Sequence, residues 1–289
     1  MLALALRVLW LLAVASALFK GVTYLLWYYE KRVHGPAEPR QPVLPRVTSW
    51  VGEWLAFMLV VSMWPFGLLG HSPFPTKRRD APRPDARPVV LIPGWSMNRG
   101  AMVVLAERLR RDGREAYAIN YPSASHDTDR MAASIAASIE DVAARTGAER
   151  IDVIAHSQGG VLVRAAAREH DVLERLGNVV TLGSPHRGTA PAAMVRWRSL
   201  RHLWPQSRFL ERLLEDDPVP VATNFTAIYS NFDASVFPAE LGYYPGAFNV
   251  ILDDVGHEGM LLSERVYKLA AENLAVEPPA LAREQRVAL

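Results

Sequence analysis

A serine that attacks a carbonyl needs a turn exposing its oxygen, N–H groups to receive negative charge, and a base within reach. Ala155-His156-Ser157-Gln158-Gly159-Gly160 supplies the first two. The segment follows an apolar run, Ile151 to Ala155, with the make-up of a buried strand, and it opens a helix expected to reach about Glu169. A nucleophile on a sharp strand-to-helix turn needs small residues two positions to either side, because backbone and side chain crowd there. Ala155 and Gly159 fill those positions around Ser157, with His156 inside the same turn. Alanine at 155 tolerates less strain than glycine would, but keeps the volume small. The helix N-terminus favours developing negative charge, and the backbone N–H of Gln158 is placed to donate to an oxyanion. What remains to be found is a histidine as base, and a carboxylate behind it to fix its tautomer.

The elements that must position these groups alternate regularly. Short apolar runs at Val89–Ile92, Ala116–Ile119, Ile151–Ala155, Val179–Leu182, Ala227–Tyr229 and Phe248–Ile251 read as six strands buried on both faces. Between them come helical spacings: Met102 to Leu109, the face Met131, Ile135, Ile139 and Val142 ending near Gly147, Gln158 to Glu169, and a closing helix from Ser263 to Leu274. Such alternation predicts a mainly parallel sheet flanked by helices.

With these elements in place, the sequence resembles the bacterial triacylglycerol lipases and related esterases of the α/β-hydrolase superfamily, over roughly residues 88–274. Val89-Val90-Leu91-Ile92-Pro93-Gly94-Trp95 looks like the strand and oxyanion turn of those enzymes, with Pro93-Gly94 where the family usually has His-Gly. The resemblance makes the N–H of Trp95 the second oxyanion donor. Thr181-Leu182-Gly183-Ser184-Pro185-His186-Arg187-Gly188-Thr189 is similar to a stretch that turns the chain away from the sheet in many of these lipases, and His186 is expected to be structural. The triad order Ser…Asp…His wants a later histidine. In Val255-Gly256-His257-Glu258-Gly259-Met260-Leu261 it is His257, between the last strand and the closing helix, where the family keeps its base. The resemblance assigns the acid to Asp233, in Tyr229-Ser230-Asn231-Phe232-Asp233-Ala234-Ser235-Val236-Phe237-Pro238, rather than to Asp253 or Asp254.

Composition narrows the alternatives. Half of the 289 residues are apolar and 21% are charged, so the chain can bury a sizeable core. There is no cysteine, which excludes a disulfide framework, a thiol nucleophile and a cysteine-ligated zinc. A formal net charge of +2 gives no ground for a nucleic-acid partner.

The N-terminus differs from the rest. Leu2 to Tyr29 is nearly all apolar, interrupted mainly by Arg7 and Lys20, and its aromatic end precedes Glu30-Lys31-Arg32. That pattern reads as a membrane anchor, a cleaved signal peptide being the alternative. A second apolar segment, Trp54 to Gly70, has 17 residues, no charge and one proline, Pro65. A second span, a re-entrant hairpin, a helix on the membrane surface and a helix docked on the soluble domain all fit it. Residues 72–88 carry five prolines and a run of charges, as a linker would. The expected organisation is therefore a membrane-associated segment over 1–71, the linker 72–88, a catalytic domain over 89–275 and a tail over 276–289. A chain begun near Arg83 is expected to be soluble. The bacterial inner membrane is the expected location, with orientation undecided.

The stretch from about 190 to 225 is too long for a simple connection and mixes arginines with Met194, Trp197, Leu200, Leu203 and Trp204. It reads either as a lid, with Trp197, Leu200 and Leu203 turned to lipid, or as a helix docked on the core. The expectation is a serine hydrolase cleaving carboxylic esters, lipid esters by the resemblance, through an acyl-enzyme and without metal or organic cofactor. An acyltransferase or thioesterase would use the same residues, and a non-catalytic membrane-bound scaffold would not need them.

Overall fold

Val89–Ile92 (β1), Ile151–His156 (β3) and Leu176–Leu182 (β4) are buried at every residue in the computed structural model. The structure describes residues 2–33, 43–68, 86–215, 217 and 223–276. Strands covered on both faces cannot alternate apolar and polar residues, which is why these runs are continuous in sequence. With Ala116–Ala118 (β2), Asn224–Ser230 (β5) and Phe248–Leu252 (β6), they form one six-stranded sheet in the order β2-β1-β3-β4-β5-β6. Every pairing in it is parallel.

Thr128–Thr146 (α4) and Gln158–Glu169 (α5) cover one face; Val103–Arg111 (α3) and Glu264–Leu274 (α9) cover the other. Asp127 caps α4 by accepting from the Arg130 N–H, and Gly147 ends it in the left-handed conformation at φ 70°. The chain runs β1 to β2 on one side of β1, then continues with β3 on the other. The crevice at that reversal, outside the C-terminal strand ends, is where open α/β sheets hold ligands.

The two apolar N-terminal runs are helices, Leu2–Val33 (α1) and Val43–Ser62 (α2). The second starts eleven residues earlier than its uncharged stretch suggested. It stops before Pro65, which lacks an N–H and crowds the preceding turn, so Trp64–Leu68 continues as a 3-10 turn. Both helices dock on the catalytic unit, which for the second is one of the arrangements its sequence allows. Val60 of α2 joins the core layer of α3 and α9. Tyr24 of α1 packs with Phe232 and Ala234, and the Trp27 indole donates to the Asn231 carbonyl at 3.1 Å. Asn98 donates to the Trp64 carbonyl, and Arg99 and Asn120 donate to that of Gly67. A chain begun near residue 83 would leave Val60's site in the core empty. The linker lies outside the described residues except for 86–88, and the tail except for Val276.

Candidate active site

Two neighbouring strand ends build the centre. At the end of β3, Ser157 takes φ 54° and ψ −128°, a conformation that costs a non-glycine residue about 1–3 kcal/mol. The neighbouring elements hold it there: the Ser157 N–H donates to the Leu182 carbonyl and α5 starts immediately after. At the end of β1, Gly94 passes so close that a side chain on it would come within 2.9 Å of the Ser157 Cβ. Glycine is therefore needed at 94 for approach, and the backbone of Trp95 follows directly. Ala155 and Gly159 are buried as their small size requires; a Cβ on Gly159 would meet the Pro93 carbonyl at 2.7 Å.

Two loops supply the other groups. Asp233, 1% exposed, follows β5, and its Oδ1 accepts the N–H groups of Ser235 at 2.7 Å and Val236 at 2.8 Å. The other carboxylate oxygen, Oδ2, lies 2.7 Å from His257 Nδ1. His257 follows β6, is buried, and with Nδ1 so engaged has Nε2 as its remaining ring nitrogen. Burial opposes the imidazolium, but the charge and hydrogen bond of Asp233, with Glu258 behind them, outweigh it and raise the His257 pKa above the usual value. Gly183 lets β4 turn beneath this pair at φ 56°; a Cβ there would lie 3.0 Å from Asp233 Oδ2 and 3.1 Å from His257 Nδ1. The competing carboxylates are engaged elsewhere: Asp253 accepts from the Asn231 amide and Asp254 pairs with Arg265, both at the surface.

His156 is a second histidine in contact. Its ring centroid is 4.6 Å from that of His257, and its Nε2 lies 3.1 Å from the His257 carbonyl oxygen, so that nitrogen carries the proton. Burial, reinforced by the His257 charge, pushes its pKa down to about 3, and it stays neutral. His186, expected to be structural, is held by Thr181 at 2.9 Å and stacks on Tyr244.

Sequence reasoning used only the backbone of Gln158. Its side chain is also employed: the amide donates to the Ser123 carbonyl at 2.9 Å, and its oxygen lies 3.2 Å from His202 Nε2. That second contact ties the 190–225 stretch under the site. The stretch comprises Ala190–Val195 (α6), a 3-10 turn over Arg198–Leu203 and Arg208–Leu214 (α7). Leu203, Phe209, Leu210 and Leu213 are buried in the main core and Leu200 packs against it, the packing of the docked alternative. Among the described residues of the stretch, Met194, Val195 and Trp197 are the exposed large apolar ones, and the Trp197 ring centroid lies 5.2 Å from that of Trp95. Ser199 accepts from the Trp95 indole.

The larger omission is a charged cluster behind His257. Glu53 of α2 accepts the N–H of Glu258 at 2.7 Å and of Gly259 at 3.0 Å, and Lys20 of α1 pairs with Glu258. The available signal was charge inside apolar runs, which is unfavourable unless it has a partner. Among the described residues, Asp129, Glu169 and His170 could together hold a metal. They lie near the C-terminal end of α5, about 18 Å from Ser157 by helix rise.

A model of the family described as alpha/beta hydrolase fold matches residues 87–260. A triacylglycerol lipase of Vibrio cholerae is 33% identical over 92 residues, covering 32% of this chain and 28% of its own length. One from Pseudarthrobacter phenanthrenivorans is 27% identical over 152 residues, covering 50% and 42%. The chain thus spans less than half the length of these curated relatives. Among solved structures, a Bacillus licheniformis lipase in mature form superposes with a TM-score of 0.62 at 17% identity, over 68% of this chain and 95% of that one.

Proposed function

This chain belongs to the alpha/beta hydrolase fold family, and on that premise we propose that it hydrolyses carboxylic esters, lipid esters among them, through Ser157, His257 and Asp233. The observation that carries the reading is the buried 2.7 Å contact between Asp233 and His257 Nδ1, set beside a serine on a strained strand-to-helix turn. In this reading His257 Nε2 takes the Ser157 proton as the serine oxygen bonds to the ester carbon. The negative charge on the former carbonyl oxygen is received by the N–H groups of Trp95 and Gln158. Collapse expels the alcohol, which takes the proton from His257, and leaves an acyl group on Ser157. Water, deprotonated by His257, then releases the acid and restores the serine. Asp233 holds the tautomer and stabilises the imidazolium throughout. Labelling by a fluorophosphonate, which reacts with activated serines, is the direct test: modification should map to Ser157, and an unlabelled folded protein would end the proposal.

The triacylglycerol lipases among its relatives favour lipid esters over other acyl compounds. So does the apolar patch of Met194, Val195 and Trp197 beside the oxyanion turn. We place the gate at this patch alone. Trp197→Ser should lower turnover of an emulsified long-chain ester about ten-fold while a soluble short-chain ester loses less than half. The scale is about the 1–3 kcal/mol gained by burying one large apolar side chain. Equal losses on both substrates would leave Trp197 a packing residue.

Membrane association belongs to the same proposal. Leu18, Val22, Leu25 and Tyr29 are exposed along one side of α1, as are Val51, Leu55 and Leu59 along α2. Thr48–Leu68 is long and apolar enough to cross a bilayer. The full-length chain should therefore stay in the pellet through a sodium carbonate wash. Release of uncleaved protein into the wash would refute hydrophobic insertion.

A further inference from the structure

Lys20, Glu53 and Glu258 are 2%, 4% and 4% exposed, so three ionisable side chains lie together in an otherwise apolar contact between α1, α2 and the loop carrying His257. Burying such a cluster is unfavourable unless its hydrogen bonds are well satisfied, and removing one member strands the others. Here they are directed. Both Glu53 oxygens accept backbone N–H groups, at 2.7 Å from Glu258 and 3.0 Å from Gly259, the two residues after His257. Gly259–Leu262 (α8) begins there, so Glu53 holds the start of the element that sets the His257 backbone. Lys20 pairs with Glu258 and lies 3.9 Å from Glu53, holding the two carboxylates together. The same α1 reaches the acid loop through Tyr24, packed on Phe232, and Trp27, bonded to Asn231.

We propose that Lys20 and Glu53 are positioning residues for His257, and that the two N-terminal apolar helices thereby complete the active site. The proposal rests on the serine-hydrolase reading above. Neither residue touches a reacting group; each acts through the peptide units of Glu258 and Gly259 and through the Glu258 carboxylate. The groups facing His257 are Asp233 from the β5 loop, His156 from β3, Glu258 from its own loop, and Lys20, with Glu53 and Tyr24 just behind. Burial resists the Glu258 charge, but Lys20 overcomes that and holds its carboxyl well below the usual range. Glu258 therefore stays ionised and favours the His257 imidazolium.

Three variants of the full-length chain in detergent micelles test this, with rates expressed per fluorophosphonate-reactive serine. Glu53→Gln retains the shape but has one acceptor oxygen for two N–H groups. It should lower kcat about ten- to a hundred-fold, the scale of a displaced catalytic group, with KM within about two-fold. Lys20→Met should show the same loss in kcat, and Lys20→Arg should restore most of it. Glu258→Gln removes a negative charge near His257, so the acid limb of the kcat/KM profile should move to lower pH. Folded variants with unchanged kcat and an unmoved acid limb would overturn the proposal. Where a variant does not fold, amide exchange in the unmodified protein decides. The N–H groups of Glu258 and Gly259 should exchange as slowly as those of β3, and exchange at loop rates overturns the clamp. An unmodified protein that takes no fluorophosphonate refutes the enzymatic reading instead, while its amide exchange still reports on the clamp.

Discussion

Ser157→Ala is expected to abolish measurable ester hydrolysis, with kcat falling about a million-fold while the melting temperature holds or rises. The size follows from the triad acting as a unit: without the nucleophile, neither the base nor the acid has a proton to handle. The stability expectation follows from the turn. Ser157 sits at φ 54° whatever its side chain, and its Oγ bears no cap to the helix that follows. Alanine therefore loses no structural hydrogen bond there. Hydrolysis assayed with a soluble aryl ester, alongside a thermal melt, checks both. A well-folded variant retaining more than about a hundredth of the activity would remove Ser157 from the mechanism, because residual catalysis in a triad lacking its serine comes from binding and oxyanion donors alone.

Asp233→Asn should lower kcat by about ten-thousand-fold and leave KM and folding nearly unchanged. The Oδ1 contacts to the Ser235 and Val236 N–H groups can be kept by the asparagine carbonyl. Its NH2 would then face His257 Nδ1, which could only accept, forcing the ring proton onto Nε2 and leaving no lone pair there for the Ser157 proton. Asp254→Asn should lose less than about two-fold, because that carboxylate is exposed and occupied with Arg265. Reversal of the two effects would transfer the acid role to Asp254.

The sequence carried much of this because buried parallel strands leave a direct imprint. Six short apolar runs, each followed by a turn, are hard to satisfy with another architecture, and the strands lie where those runs occur. The residues at the strand ends were legible for a related reason: Ser157 needs small neighbours, and His257 and Asp233 follow the last two strands. Contacts between distant segments were not legible. Glu53 stands at the edge of an apolar run and Lys20 inside another, and nothing local says that a residue more than 200 positions away receives each charge. The 190–225 stretch was ambiguous for a different reason. Its leucines and tryptophans have amphipathic spacing, which fits a lipid-facing helix and a docked one equally. Leu203 is buried in the core, and among the described residues of the stretch Met194, Val195 and Trp197 are the large apolar side chains left exposed.

The tie between Lys20 and Glu258 also orders events during synthesis. The two residues are 238 positions apart, so one end of the contact is made long before the other. At about 5–20 residues per second, α1 waits roughly 10 to 50 s for its partner to leave the ribosome. Late in that interval, once β4 has followed β3 and α5, Ser157 can already stand on its turn, since all of these are upstream of the missing loop. If Ser157 and His257 act as proposed, the nucleophile is thus in place before its base. On the proposed mechanism the serine stays inert until the final sixth of the polypeptide docks against the segment made first.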